Sequence, residues 1–239
     1  MSFNTVVDIS QSGDVARKSA TLVMLTRIMF VLSLCLSCSI AWSADKRIGI
    51  IVFDGVLTSD ITAPIEVFGI ASRKSWFSDY ETITINVGSQ DTITTEEGLQ
   101  LKVDSHLNNK PEVDILLVPS SYSMEPLLKN KALIEYVQST AASADWLASN
   151  CSGAFVLAEA GILNGKKATT WAGGESELQD QYPEVNVQFD QNYVIDGNII
   201  TSNGSVVSYE AALALLERIA SKSRADEVRE TLQMARVWK

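Results

Sequence analysis

Cys151 carries most of the chemistry this sequence offers. It lies in DWLASNCSGAFVLAEAGIL, where a short apolar run meets a turn of small residues and then a helical pattern. A thiol at such a strand-to-helix corner sits beside backbone N–H groups that no intrahelical carbonyl claims, at the positive end of the helix dipole. That setting favours thiolate and can hold a developing negative charge, which suits addition to an electrophilic carbon. The competing reading is a buried, inert cysteine. The carboxylate of most interest is Asp60 in TSDITAPIEVF, four residues before Pro64, which on residue type alone reads as a helix N-cap. Other constellations fail. GILNGKKATT has one residue too few between its glycines for a phosphate loop, and Lys167 stands where Ser or Thr is required. No G-x-G-x-x-G opens a helix, and Glu96-Glu97 reads as a solvated loop. The single histidine, His106, with one retained cysteine cannot make a zinc site of the usual kind, so neither metal nor cofactor is expected.

Cys151 is the only cysteine outside an apparent export signal. Arg27 precedes IMFVLSLCLSCSI, an uncharged run of 13 residues holding Cys35 and Cys38, followed by Ala41-Trp42-Ser43-Ala44. A charged start, a short apolar run and small residues before a break are the parts of a signal peptide. The run is shorter than the roughly 20 residues a spanning helix needs, so no stable membrane insertion is expected after cleavage. The reading is residues 1–43 as extension plus signal peptide, residues 44–239 as one domain, and export to a bacterial periplasm. Residues 44–239 carry 16 basic and 27 acidic side chains, which argues against nucleic acid and anionic membranes as partners. A solitary cysteine in an oxidising compartment has no internal disulfide partner.

The elements that must position these residues alternate. KRIGIIVF is a continuous β-rich run, as expected of a strand buried on both faces. TSDITAPIEVFGIAS has apolar residues at helical spacing and a first-turn proline. YETITINVGS, DTITT and LQLKVD read as strands, VDILLVPS as a second buried strand, and SMEPLLKNKALIEYVQSTAA as one helix. After the Cys151 corner come a strand (KKATTWA), a helix (GESELQDQY), a hairpin turning at Asp196-Gly197, and two closing helices. This order predicts an α/β fold with an open parallel sheet covered by helices on both faces. The site of such a sheet lies at the carboxyl ends of its strands, where Cys151 falls.

The stretch SNCSGAFVLAEAGILNGKKATTWAGGESELQDQYPEVNVQFDQNYVIDGNIITSNGSVVSYEAALALLE resembles the ThiJ/PfpI superfamily. The branch with isocyanide hydratase and the sensor domains of AraC-type regulators looks nearest. FDGVLTSDITAPIEVFGIAS and VDILLVPSSYS resemble the family's acidic helix entry and its strand with a tight turn, so the likeness spans about residues 47–220. It implies a flavodoxin-like, mostly parallel sheet sandwiched by helices, a homodimer, and a cysteine nucleophile on the elbow. Position by position, Cys151 matches the nucleophile and Asp60 the carboxylate that hydrogen-bonds it. Ser152 follows the cysteine where Thr or Ala is usual, and Gly153 keeps the small residue that lets the helix start close by.

Two departures stand out. Ser120-Ser121 replace the family's Gly-Gly turn, whose amides point into the site, and Trp171 stands where many members have a histidine. A Cys-His dyad is therefore not expected unless His106 reaches the site. A helix terminus contributes roughly 0.3–1 kcal/mol, less than the 1.36 kcal/mol of one pKa unit, and an ionised Asp60 would oppose the thiolate. The consistent arrangement is one proton shared by Cys151 and Asp60. The resemblance then implies a hydratase of the isocyanide type acting on a small electrophile. Ser152, Gly153, Ser120, Ser121 and Trp171 would shape the pocket. A non-catalytic ligand-binding or redox-responsive protein is the main alternative, and glyoxalase, deglycase or amidase activity a weaker one.

Overall fold

The computed structural model describes residues 46–236. The signal-like segment of residues 1–43, with Cys35 and Cys38, lies outside the described residues. The chain opens with β1 (Lys46–Val52), fully buried from Ile48 onward, and crosses through α1 (Thr58–Ser72) to β2 (Tyr80–Asn86). A small antiparallel pair follows, β3 (Thr92–Thr94) and β4 (Gln100–Lys102), then the two-residue β5 (Ser105–His106). The second half runs β6 (Ile115–Val118), α2 (Glu125–Leu128), α3 (Lys131–Ala141), β7 (Trp146–Asn150) and α4 (Gly153–Glu159). It continues with β8 (Lys167–Ala168), α5 (Glu175–Gln181) and β9 (Asn186–Val187). The hairpin β10 (Tyr193–Asp196) and β11 (Ile199–Ser202) precedes α6 (Val207–Ile219) and α7 (Lys222–Thr231).

Seven strands make the main sheet in the order β10-β11-β7-β6-β1-β2-β5. Every pairing is parallel except β10 with β11, so the sheet is mixed but mostly parallel. α1, α6 and α7 pack on one another as one layer, and α2, α3 and α4 as the other. From β1 the chain steps outward to β2 and β5, then returns to β6 on the other side of β1. Crevices form at such a reversal, at the carboxyl ends of the strands. Four neighbours, β1, β6, β7 and β11, deliver the loops that meet there.

Three local expectations need correcting. The helix expected from Ser123 onward is two helices, because Asn130 caps the second by accepting from the Leu133 N–H at 3.1 Å. The strand expected over KKATTWA is two residues long. The Thr169 N–H leaves the strand pattern and donates to Thr201 Oγ1 at 2.8 Å, which steers the chain toward the site. The hairpin turns on Gly197-Asn198, one residue later than read, with Gly197 at φ +63°. Among the described residues no helix is long and apolar enough to cross a membrane.

Candidate functional site

Cys151 occupies the turn between β7 and α4 with φ +52°, a left-handed conformation uncommon for a residue with a side chain. Its backbone is tied at both ends. The N–H donates to the Ser202 carbonyl at 2.9 Å, and the carbonyl accepts from Thr170 Oγ1 at 2.9 Å. Helix α4 can begin at once because residue 153 is glycine. A Cβ there would fall 2.2 Å from the Val118 carbonyl oxygen and 2.8 Å from that of Pro119. Gly153 is thus a packing residue between α4 and the end of β6, and it is buried and not part of the cavity lining.

Asp60 lies in the first turn of α1 and is fully buried. It is not the N-cap: Leu57 is, without a side-chain cap, and the Asp60 carboxylate is turned inward. Oδ1 accepts from the Ser205 N–H at 2.8 Å and from Ser208 Oγ at 3.2 Å, while Oδ2 accepts from Ser120 Oγ. Gly204 and Ser205, both left-handed at φ +77° and +54°, turn the chain after β11 so that this amide faces the acid. Around them Asn150 Nδ2 donates to the Asp60 carbonyl at 2.8 Å, and Ser202 Oγ donates to Asn150 Oδ1 at 2.7 Å. A buried polar network of this kind holds only if its members are satisfied.

No hydrogen bond joins Asp60 directly to Cys151. Gly204 lies between them: a Cβ on it would come 2.4 Å from Cys151 Cβ and 2.8 Å from Asp60 Oδ1. Ser120, fully buried just after β6, meets the acid at its other oxygen, Oδ2. Burial pushes the Asp60 carboxyl above the usual carboxylate range, opposed by its Ser120, Ser205 and Ser208 partners. Burial also pushes the Cys151 thiol up. The Ser120 hydroxyl pulls it back, the Asp60 charge adds to the rise, and the Ser152 amide and hydroxyl counter it. Desolvation and the Asp60 charge together outweigh the hydrogen-bonding groups that favour thiolate, so the thiol is held above its ordinary range.

Above the sulfur opens a cavity of about 760 Å³. Cys151 and Ser152 form part of its lining, with Ser121, Tyr122, Met124 and Leu128 on one side and Phe155 and Trp171 on the other. The last two stack with ring centroids 5.3 Å apart, and the Trp171 indole covers Gly174, where a Cβ would strike it at 2.1 Å. Ser152 Oγ donates to the Ser121 carbonyl at 3.2 Å, tying the two loops. The structure thus brings Cys151, Ser152, Ser121 and Trp171 to the cavity and sets Asp60, Ser120 and Gly153 behind it. His106 lies on the edge strand β5, its ring nitrogens 3.3 Å from the Gly88 carbonyl and 3.1 Å from Asp91 Oδ1, and takes no part in the cavity. Asn150, Ser205 and Ser208 are site residues the sequence did not announce. No group of metal-ligating side chains occurs among the described residues.

The family model described as DJ-1/PfpI matches residues 46–218. The chain belongs to the DJ-1/PfpI family. An isonitrile hydratase from Pseudomonas putida is 28% identical over 193 residues, 79% of this chain and 78% of that protein. The HTH-type transcriptional regulator GbdR from Pseudomonas aeruginosa is 23% identical over 173 residues, 72% of this chain but 46% of the regulator. Enzyme and regulator relatives thus both align, and neither branch is clearly nearer. A ThiJ/PfpI family protein from Pseudomonas syringae superposes with a TM-score of 0.70 at 20% identity, covering 82% of this chain and 78% of that one. Drosophila melanogaster DJ-1beta superposes at 0.69 and 21% identity, covering 79% and 98%. At these identities the likeness is one of fold.

Proposed function

We propose that this protein is a cysteine-dependent hydro-lyase that hydrates isocyanides to N-substituted formamides. The supporting observation is a thiol at the floor of an apolar cavity, backed by a buried carboxyl pushed toward its protonated form, with the lone histidine elsewhere. The aligned isonitrile hydratase supports the same reading. Isocyanides need this pair: their terminal carbon accepts a nucleophile and must then gain a proton.

The Cys151 sulfur attacks that carbon, and the proton taken up by the carbon comes from Asp60, leaving a thioimidate, R–N=CH–S–Cys. Water adds to the same carbon while the nitrogen gains a proton. The C–S bond then breaks, releasing R–NH–CHO and a thiolate, and the second proton of the water restores the starting state. The Ser152 N–H at the helix start orients the polar end, and Trp171 with Phe155 holds the organic group. A cavity of about 760 Å³ admits aryl and branched alkyl groups. Its rim carries Glu125, Glu159 and Glu177 against Lys129, which is itself paired with Glu125, so anionic substrates are disfavoured.

Incubating the purified full chain with cyclohexyl and aryl isocyanides and following formamide by mass spectrometry tests this. Formamide from the wild type and none from Cys151→Ser is the expected result, and no formamide from the wild type overturns it. A ligand-binding role is the second reading, favoured by the aligned regulator and by a cavity complete without chemistry. Isocyanide or formamide binding without turnover would support it. Export to the periplasm and assembly as a homodimer complete the proposal. The checks are N-terminal sequencing of protein from a cell fraction and sedimentation of the purified chain.

A further inference from the structure

The β3–β4 hairpin is separate from the main sheet, yet it holds the segment that leads from β1 into α1. The Gly55 N–H donates to the Thr94 carbonyl at 2.9 Å, the Thr94 N–H to Asp54 Oδ1 at 2.8 Å, and the Glu96 N–H to the Val56 carbonyl at 3.0 Å. Glu97 makes the next contact along. Its Oε2 accepts from the Thr58 N–H at 2.9 Å and from Thr58 Oγ1 at 2.5 Å, and Thr95 Oγ1 lies 2.6 Å from the same hydroxyl. Glu97 is therefore not the unattached loop residue that its sequence setting suggests. Although exposed, its carboxyl is held below the usual carboxylate range by the Thr58 hydroxyl and amide.

Helix α1 needs an acceptor at this end. Its first N–H groups have no carbonyl partner within the helix, and the N-cap residue, Leu57, has no side chain that can accept. Asp60 sits in the same turn and is of a type that could serve, but its carboxylate faces inward to Ser205, Ser208 and Ser120. We propose that Glu97 caps α1 from the hairpin and thereby positions Asp60: one carboxylate takes the helix end, so the other is left for the site. A negative charge at a helix N-terminus also suits the dipole. The first turn is then pinned on both flanks. The Leu57 N–H donates to the Ser120 carbonyl at 2.9 Å beside the acid, and Thr58, two residues before Asp60, is held by Glu97. Leu57 lines the cavity as well, so the same cap sets part of its wall. The inference deepens the hydratase reading, in which Asp60 protonates the substrate carbon. Glu97 is a positioning residue that acts through α1 and is not itself part of the cavity lining.

The Ser205 amide reports on the acid without any substrate, because it is bonded to Asp60 Oδ1. Its hydrogen exchange is measured by NMR on the full chain. The Leu147 N–H, bonded within the sheet to the Asn198 carbonyl at 3.0 Å, is the control. Glu97→Ala is expected to speed Ser205 exchange about tenfold, the effect of one lost helix cap, and to leave Leu147 within about twofold of wild type. Glu97→Gln keeps a neutral acceptor and is expected to bring Ser205 back to within about threefold of wild type. Faster exchange at Thr58 with none at Ser205 overturns the proposal, since the cap would then serve only its own turn. An equal rise at Ser205 and Leu147 overturns it too, as a general loss of stability. With isocyanide as substrate, Glu97→Ala is expected to lower kcat about tenfold and leave KM within about twofold, as befits a residue that places the acid without touching the ligand. An unchanged kcat counts against the role. A wild type that makes no formamide, while Ser205 exchange still follows Glu97, would sink the hydratase reading and leave the positioning role standing.

Discussion

Gly204 is the position where the site is most sensitive to one added methyl group. In Gly204→Ala the new Cβ would lie 2.4 Å from Cys151 Cβ, 2.8 Å from Asp60 Oδ1 and 3.0 Å from the Cys151 nitrogen. None of these is the free end of a flexible chain. The nitrogen is held by the Ser202 carbonyl, and Oδ1 by Ser205 and Ser208. Overpacking a fixed site costs about 1–3 kcal/mol. The backbone adds roughly 1 kcal/mol more, because residue 204 sits at φ +77°, where alanine is strained. A loss of about 2–4 kcal/mol is thus expected, which at a urea m-value near 2 kcal/mol/M lowers the unfolding midpoint by roughly 1–2 M. The same displacement must move either the sulfur or the acid, so Cys151 alkylation in the folded variant is expected to change as well. An unchanged midpoint together with a wild-type alkylation profile would show that the two groups do not meet around Gly204, and the account of the site would fail.

Burial holds the folded pKa of Asp60 above its unfolded value of about 3.9, so the native state keeps a proton the unfolded chain has released. Its contribution to stability is then full below the unfolded value and shrinks as pH rises toward the folded one. Relative to Asp60→Asn, the wild type is expected to lose ground in urea melts as pH rises above about 4, and a constant gap would contradict this. Trp171→Ala removes the stacked wall and is expected to cut kcat/KM for aryl isocyanides at least tenfold while leaving Cys151 alkylation intact. His106→Ala is expected to leave both alkylation and formamide formation unchanged, given its place on the sheet edge. A loss of either would return a histidine-dependent mechanism to consideration.

Much of the architecture was legible because its signals are local. KRIGIIVF and VDILLVPS are too apolar to be anything but buried strands, and they became the central pair β1 and β6. Gly153 marked the tight approach behind Cys151, whereas Pro64, read as a first-turn proline, lies inside α1, six residues past Thr58. The break at Asn130 was missed because its apolar spacing continues on both sides and only the cap interrupts it. Asp60 and Cys151 could be nominated from residue type and resemblance. Their actual relation could not, since Ser205 and Ser208 lie some 145 residues from Asp60 in the chain and reach it only through the β11 connection. Ser120 was read as a backbone feature of a turn, because nothing in VPSSYS says which way a serine hydroxyl points. The helix-dipole argument at Cys151 was sound in sign but omitted desolvation, which a sequence does not display.

The left-handed backbone at Cys151 has a practical consequence for anyone making inactive versions of this protein. Serine or alanine at residue 151 keeps a β-carbon in a torsional well that disfavours it, whereas glycine relaxes that load. Knockouts of the same thiol will therefore differ in ruggedness for reasons unrelated to sulfur. A ligand trapped in a glycine variant would be sitting in a more pliant pocket than the native one, and serine is the safer stand-in.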